Sequence, residues 1–287
     1  MTSAQSLREL LRQDGLVVAP GAYDGITARV AVQAGFKAVY MTGAGVSAAR
    51  GFPDYGLLTL NEMAETAGAI AAAAAVPVIA DADTGYGNEL NAIRTVREFE
   101  MRGVAGLHIE DQVAPKRCGH LDGKEIIGRA EFASKIAAAV AAKRTPDFLV
   151  IARTDARAVA NLDEAIVRAN LALGAGADMA FVEAPQTVGE LAAVPRLVKG
   201  PCLVNIVPGG KTPALTLTEA AEMGFKLAIL PGVLLSAAIE AFDTALATLR
   251  EHGTAGPASG PSVRALFQRL GAAEWDALRQ RFAAAAE

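Results

Sequence analysis

Eight short apolar runs, each ending in polar residues or glycine and each separated from the next by a stretch of helical character, restrict this chain to very few folds. The runs read as strands at 17–22, 38–43, 78–83, 106–111, 148–155, 179–184, 202–207 and 226–231. Between them, apolar residues recur every three to four positions, as at 90–102, 129–142, 162–173 and 217–223, which is the spacing of an amphipathic helix. Gly35, Gly103, Gly174 and Gly224 follow such stretches, where a helix C-terminus favours glycine. Strands alternating with helices make parallel βαβ units, and eight strands close a barrel. The expectation is an α/β fold of the (β/α)8 TIM type. An open doubly wound sheet would favour Gly-x-Gly-x-x-Gly after the first strand. None is present, and Gly43-Ala44-Gly45 is a fragment of one after the second.

A chain of 287 residues, 52% hydrophobic, can bury the core that such a barrel needs. The barrel is expected over 1–252, a Gly/Pro/Ser-rich linker over 253–261, and a C-terminal helical segment over 262–287. In that segment Phe267, Leu270, Trp275, Leu278 and Phe282 form apolar stripes. Two placements suit the stripes: packing on the chain's own barrel, or exchange onto a neighbouring subunit across a flexible linker. The net charge of −4 with scattered basic residues is no nucleic-acid footprint. The Ala-rich stretch at 67–80 is interrupted by Pro77 and is too short to span a bilayer. With no signal-peptide pattern and only two cysteines, Cys118 and Cys202, a reduced cytoplasmic protein is expected.

In such barrels function sits at the C-terminal ends of the strands. Charge there is expensive unless paired, yet this chain carries a great deal of it. Tyr23 and Asp24 follow the first strand, and Thr42 and Gly43 end the second. Asp81 and Asp83 end the third, Glu110 and Asp111 the fourth, and Arg153 and Asp155 the fifth. Glu183 ends the sixth, and Asn205 lies near the end of the seventh. Residues i and i+2 of a strand share a side. Asp81 and Asp83 should therefore face one cavity and repel unless a cation lies between or beside them. Mg²⁺ takes oxygen ligands and needs only one or two carboxylates, so it suits the pair better than helix capping does. Zinc is disfavoured because no His/Cys cluster has ligand spacing. Arg153 is the natural partner for a substrate carboxylate, with ion pairs to Asp155 or Glu183 as its alternative use.

The loop after the fourth strand, residues 112–124, is polar, basic and glycine-bearing. Its thiol, Cys118, is flanked by Lys116, Arg117 and His120. That setting is expected to lower the thiol pKa and equip it for acid/base or nucleophilic work. Cys202, at the start of a strand, reads as a small buried hydrophobe.

Lys116-Arg117-Cys118-Gly119-His120 resembles the signature of the isocitrate lyase / phosphoenolpyruvate mutase superfamily. The likeness extends over most of the chain. It includes Asp81-Ala82-Asp83-Thr84-Gly85-Tyr86-Gly87, His108-Ile109-Glu110-Asp111-Gln112, Ala152-Arg153-Thr154-Asp155-Ala156, Val182-Glu183-Ala184 and Asn205-Ile206, all in the family's order. The resemblance implies a barrel with an exchanged C-terminal helix, assembled as a homotetramer. It implies Mg²⁺, with Mn²⁺ as an alternative, held largely through water by Asp81, Asp83 and Glu110 with Asp54 nearby. It places the substrate's 2-oxo acid moiety against Thr42, Gly43, Ala44 and Arg153; Gly119, Glu183 and Asn205 are further candidates for substrate binding, and Cys118, Tyr40, Arg153 and His120 are the candidate catalytic residues. In this picture Tyr40 is the base at the substrate hydroxyl and Cys118 protonates an enolate.

Phosphonate mutases and hydrolases resemble this fold but lack the Cys-Gly-His loop, so Cys118 argues for carbon–carbon cleavage. No strand ends in the lysine that a Schiff-base aldolase needs. Relatives acting on tricarboxylates carry an arginine just beyond strand eight. Here no Lys or Arg occurs between Lys226 and Arg250. The stretch 205–213 looks more like the 2-alkylmalate and 2,3-dimethylmalate lyase branch. The expected substrate is therefore a 2-hydroxy dicarboxylate with an apolar substituent, cleaved to a 2-oxo acid such as pyruvate and a carboxylate. Alternatives are 2-methylisocitrate cleavage, with Lys211 meeting the third carboxylate, and oxaloacetate hydrolysis. Behind these come phosphonate chemistry and a non-catalytic scaffold.

Overall fold

The structure, a computed structural model, describes residues 1–254 and 262–284. The chain begins α1 (Ser3–Arg12), β1 (Val17–Ala22), α2 (Gly25–Gln33), β2 (Val39–Met41), α3 (Gly43–Ala49), α4 (Leu60–Ala74) and β3 (Val78–Asp81). It continues α5 (Glu89–Met101), β4 (Gly106–Glu110), α6 (Arg129–Ala141), β5 (Leu149–Thr154), α7 (Ala156–Val159), α8 (Leu162–Gly174) and β6 (Met179–Val182). Then follow α9 (Val188–Leu197), β7 (Cys202–Asn205), α10 (Leu217–Met223), β8 (Leu227–Leu230), α11 (Val233–His252), α12 (Val263–Arg269) and α13 (Ala272–Ala284). The eight strands form one closed parallel barrel in sequence order. It closes where β1 pairs with β8, Val17 opposite Leu227 and Pro20 opposite Leu230.

The expected strands are all present, and most are a residue or two shorter at the C-terminal end. Those trimmed ends are where the chain leaves the ladder to build the site. Asp83 is the clearest case. It lies beyond β3 with φ of 46°, in the left-handed region, so the strand alternation invoked for the Asp81/Asp83 pair does not apply to it. Gly174 also departs from expectation: it is inside α8, and Gly176, with φ of 101°, makes the turn after the helix.

Barrel strands are buried on both faces, and residue parity decides which core each side chain joins. Ile79, Ile151, Phe181, Leu203, Leu227 and Ile229 point inward and pack with Tyr40. Leu7 of α1 joins this inner cluster. The other parity packs against the helices, as with Val78, Ala80, Leu107, Val150 and Ala152. Moving two residues onward from the inner layer gives Asp81, Arg153, Glu183, Asn205 and Pro231, and all five line one cavity.

The chain divides into two compact units, Met1–Leu235 and Ser236–Glu287. The first holds the barrel. In the second, α12 and α13 pack on each other. Positions 255–261 of the expected linker lie outside the described residues. No helix among the described residues is long and apolar enough to cross a membrane.

Candidate active site

The cavity at the C-terminal end of the barrel has a volume of about 120 Å³. That is well below the roughly 300–1,000 Å³ of drug-sized sites, a size that suits a small molecule rather than a nucleotide. Its polar wall includes Tyr40, Asp81, Arg153 and Glu183, and its apolar side is formed by Ala44, Val207, Pro231 and Leu235.

Arg153 is the charge centre. Nε lies 3.0 Å from Asp155, Nη1 3.0 Å from Glu110 and Nη2 3.4 Å from Glu183. The guanidinium lies over Phe181, 5.2 Å from the ring centroid. Burial opposes the Glu183 charge, but Arg153 and His120 outweigh it and hold the carboxyl well below its ordinary range. Glu110 is different. Burial raises it well above the ordinary range, with Arg153 only partly compensating. Both of its oxygens, and Oδ1 of Asp83, lack a hydrogen bond of good geometry although each carboxylate faces a cation.

Asp81 keeps its charge against burial because Lys116 and Arg153 lie near, whereas His108, 3.7 Å from Asp81, is pushed down to about 4 by burial and is neutral at pH 7. The pair of carboxylates predicted to need a cation has one in the protein itself. Lys116 is buried, 3.0 Å from Asp83, and also pairs with Asp54. Burial still raises Asp83 to about 6.

Tyr40 is buried, with its hydroxyl 2.8 Å from His108 Nε2 and 3.3 Å from Asp81 Oδ2. His108 Nδ1 has no partner. An unpartnered acceptor costs less than an unpartnered N–H, which favours His108 donating from Nε2 and the Tyr40 O–H pointing to Asp81. Burial and then Asp81 raise the phenol well above 10. Tyr40 at rest is a neutral hydroxyl, not a tyrosinate.

The loop at 112–124 packs down on this mouth. The Cys118 amide donates to the Asp54 carbonyl at 3.1 Å, and Gln112 and Arg117 exchange hydrogen bonds of 2.8 and 3.0 Å. Gly119 passes so near Arg153 that a Cβ there would lie 2.5 Å from Nη2. His120 Nδ1 accepts from the Lys211 amide at 3.0 Å, which leaves Nε2 to donate to Glu183, 3.2 Å away. Thr42, cavity-lining and buried, caps α3, its hydroxyl accepting from the Gly45 amide at 3.3 Å; Gly43 backs onto Asp81.

Several expectations need correction. The Cys118 thiol pKa is raised, first by burial and then by Asp54. The flanking cations do not serve it: Lys116 is committed to two carboxylates, Arg117 lies over the Tyr55 ring, and His120 faces Glu183. Asp111 is not at the mouth. Opposite in parity to Glu110, it accepts from Thr154 Oγ1 at 2.6 Å, the Asp155 amide at 2.8 Å and Arg168 at 3.1 Å. Asp24 is spent capping α2. Sequence reasoning also missed Lys116 as a counter-ion, a role its place in the loop does not signal.

Among the described residues no three His, Cys, Asp or Glu side chains converge as a ready metal cluster. The unpartnered oxygens of Glu110 and Asp83 nevertheless fit a hard divalent cation that brings its own water, because such water supplies the donors these buried oxygens lack.

The sequence profile described as phosphoenolpyruvate phosphomutase matches residues 7–250. The chain is 47% identical over 255 residues to 2,3-dimethylmalate lyase of Eubacterium barkeri, covering 88% of each protein. It is 45% identical over 248 residues to 2-methylisocitrate lyase of Aeropyrum pernix, covering 86% of this chain and 80% of that protein. The solved structure of oxaloacetate acetylhydrolase with 3,3-difluorooxalacetate superposes with a TM-score of 0.94 at 41% identity, over 99% of this chain and 97% of that one. With the Cys-Gly-His loop seated on a carboxylate-rich barrel mouth, the chain belongs to the phosphoenolpyruvate mutase / isocitrate lyase superfamily.

Proposed function

We propose that this protein is a Mg²⁺-dependent carbon–carbon lyase that cleaves a 2-hydroxy dicarboxylate of the 2-alkylmalate or 2,3-dimethylmalate type into a 2-oxo acid and a carboxylate. The observation that carries the reading is the place of Cys118 at a small cavity lined by both charged and apolar residues, where burial raises its thiol pKa. A thiol raised above its ordinary range is a poor nucleophile and a competent proton donor.

The substrate carboxylate beside C2 meets Arg153 and the turn at Thr42, Gly43 and Ala44, with Gly119, Glu183 and Asn205 closing the polar side. Tyr40, hydrogen-bonded to His108 and Asp81, relays the C2 hydroxyl proton: it passes its own phenolic proton to the Asp81 carboxylate as it takes the substrate's and the C2–C3 bond breaks. The bonding electrons pass to the departing carboxylate as an enolate, and Cys118 delivers its proton to C3. His120, held between the Lys211 amide and Glu183, orients the loop. Asp54, Asp81, Asp83 and Glu110 would hold Mg²⁺, or Mn²⁺, largely through water, and the bound ion would supply charge stabilisation for the developing C2 oxygen.

The position of Lys211 speaks for the dicarboxylate over the tricarboxylate reading. Its ammonium pairs with the exposed Asp122 rather than entering the cavity, so a third carboxylate would be left against Val207, Pro231 and Leu235. The same helical tail argues for assembly. Ile239, Phe242, Leu246, Leu249, Trp275 and Phe282 are all exposed, as expected of a homotetramer that exchanges C-terminal helices. Reduced Cys118 suits a cytoplasmic setting.

Pyruvate release from 2,3-dimethylmalate with Mg²⁺ tests the assignment. We expect activity that chelation abolishes, Mn²⁺ restores in part, and Cys118→Ala lowers by about 10²- to 10⁴-fold. Pyruvate from 2-methylisocitrate alone would overturn the substrate assignment. Silence on both, with acetate formed from oxaloacetate, would replace the lyase by a hydrolase.

A further inference from the structure

The 112–124 loop buries two lysines, and the chemistry above uses only one of them. Lys124 has a side chain that is 1% exposed, and it reaches neither the thiol nor the cavity wall formed by Asp81. Its ammonium donates to Asp155 Oδ1 at 2.8 Å and to the carbonyl of Gly119. Asp155 is held from the barrel side as well. Its amide donates to Asp111 at 2.8 Å, and its carboxylate receives Arg153 Nε at 3.0 Å and Nη2 at 3.3 Å. One carboxylate therefore anchors both the loop lysine and the substrate-facing arginine.

The position of Lys124 along the loop gives this contact a direction. The two ends of the loop are tied by a bridge between Gln112 and Ile126 and by the Val113 amide donating to the Glu125 carbonyl at 2.9 Å. Lys124 adjoins that fixed base, whereas Gly119 is at the tip, against Arg153. The ammonium thus spans from an anchored part of the loop to the peptide next to Cys118.

We propose that Lys124 is a positioning residue: it clamps the loop down on the barrel mouth through the Gly119 carbonyl and, through Asp155, fixes the guanidinium plane of Arg153. A proton donor works only when its reacting atoms are held about 3–3.5 Å apart. Loss of a charge-assisted hydrogen bond shifts an open-to-closed ratio by roughly tenfold or more.

The clamp is tested without substrate, by the rate of iodoacetamide labelling at Cys118 in the full-length protein, with buried Cys202 as internal control. The kinetic arm alone rests on the lyase reading, so absence of turnover and absence of the clamp are told apart. Lys124→Met should label at Cys118 about tenfold faster than wild type while Cys202 stays unreactive. Lys124→Arg should return most of the protection, and kcat/KM should fall and recover in parallel. If Lys124→Met does not fold because Asp155 loses one of its two cationic partners, Lys124→Met combined with Asp155→Asn removes that charge and is read the same way. Cys118 labelling unchanged in the folded variant, or Cys118 and Cys202 rising together, overturns the proposal.

Discussion

Cys118 shows how a residue's chemistry depends on where its neighbours in sequence send their charges. Three basic residues surround the thiol along the chain, yet the largest influences on the thiol after burial come from the carboxylate of Asp54 and the amide of His120. The thiol pKa is therefore raised rather than lowered, which suits the proton-donor role proposed for it. Gly119 carries an equally local constraint. A methyl group there would meet Arg153 Nη2 at 2.5 Å and Glu183 Cγ at 2.6 Å, both immobilised by their ion pairs. Gly119→Ala is expected to push the loop off Arg153 and Glu183, so that kcat/KM falls by at least about 10²-fold, since small misplacements at a reacting centre cost that much, and out of proportion to any loss of thermal stability. Steady-state kinetics beside a melting curve checks it, and equal loss of both would show that the loop glycine serves folding instead.

Among the elements, α8 does more than cover the barrel. Its Arg168 passes inward to Asp111 at 3.1 Å, and Asp111 in turn holds the Asp155 amide behind the site. Glu164, one turn earlier, receives Arg168 Nε at 2.7 Å and Arg129 Nε of α6 at 2.9 Å. Hydrogen bonds from Arg129, then Arg168, outweigh desolvation and bring Glu164 from its ordinary 4.5 to about 2. A carboxylate whose folded pKa is lowered adds stability above its unfolded pKa and loses it as pH falls through the folded value. Glu164→Gln should therefore lower the melting temperature at pH 7, and that deficit should shrink as pH falls from about 4.5 towards 2. A deficit that does not change with pH would assign the effect to packing rather than charge.

For the molecule as a whole, the exposed apolar face of the C-terminal unit is the outstanding feature. Phe242 is 60% exposed, Leu246 63% and Trp275 69%, and these belong to helices whose other residues are largely polar or alanine. Leaving several such side chains in water forgoes about 1.5–3 kcal/mol each, which association recovers. The proposed assembly of 29.5 kDa chains predicts that Phe242→Glu combined with Leu246→Glu gives a smaller species than wild type in light scattering after size exclusion. An unchanged mass would place the subunit contact elsewhere.

Much of this protein is settled by local and periodic information. Strand and helix alternation depends on residue order alone, so eight strands and a (β/α)8 barrel are legible in the chain. The inner parity from Ile79 to Asp81 and from Ile151 to Arg153 carries polar residues to one mouth for the same reason. Other features arise from contacts between residues far apart in sequence. The left-handed turn at Asp83 breaks the alternation that periodicity assumes. Lys116 becomes the partner of Asp54 and Asp83, and Lys124 the partner of Asp155, only when the loop folds over the barrel. The direction of each buried pKa follows from that folding, because burial and charge partners act through space. Sequence determined the barrel and the family's set of reactive groups. Tertiary structure alone decided which of those groups are charged, paired and within reach of one another.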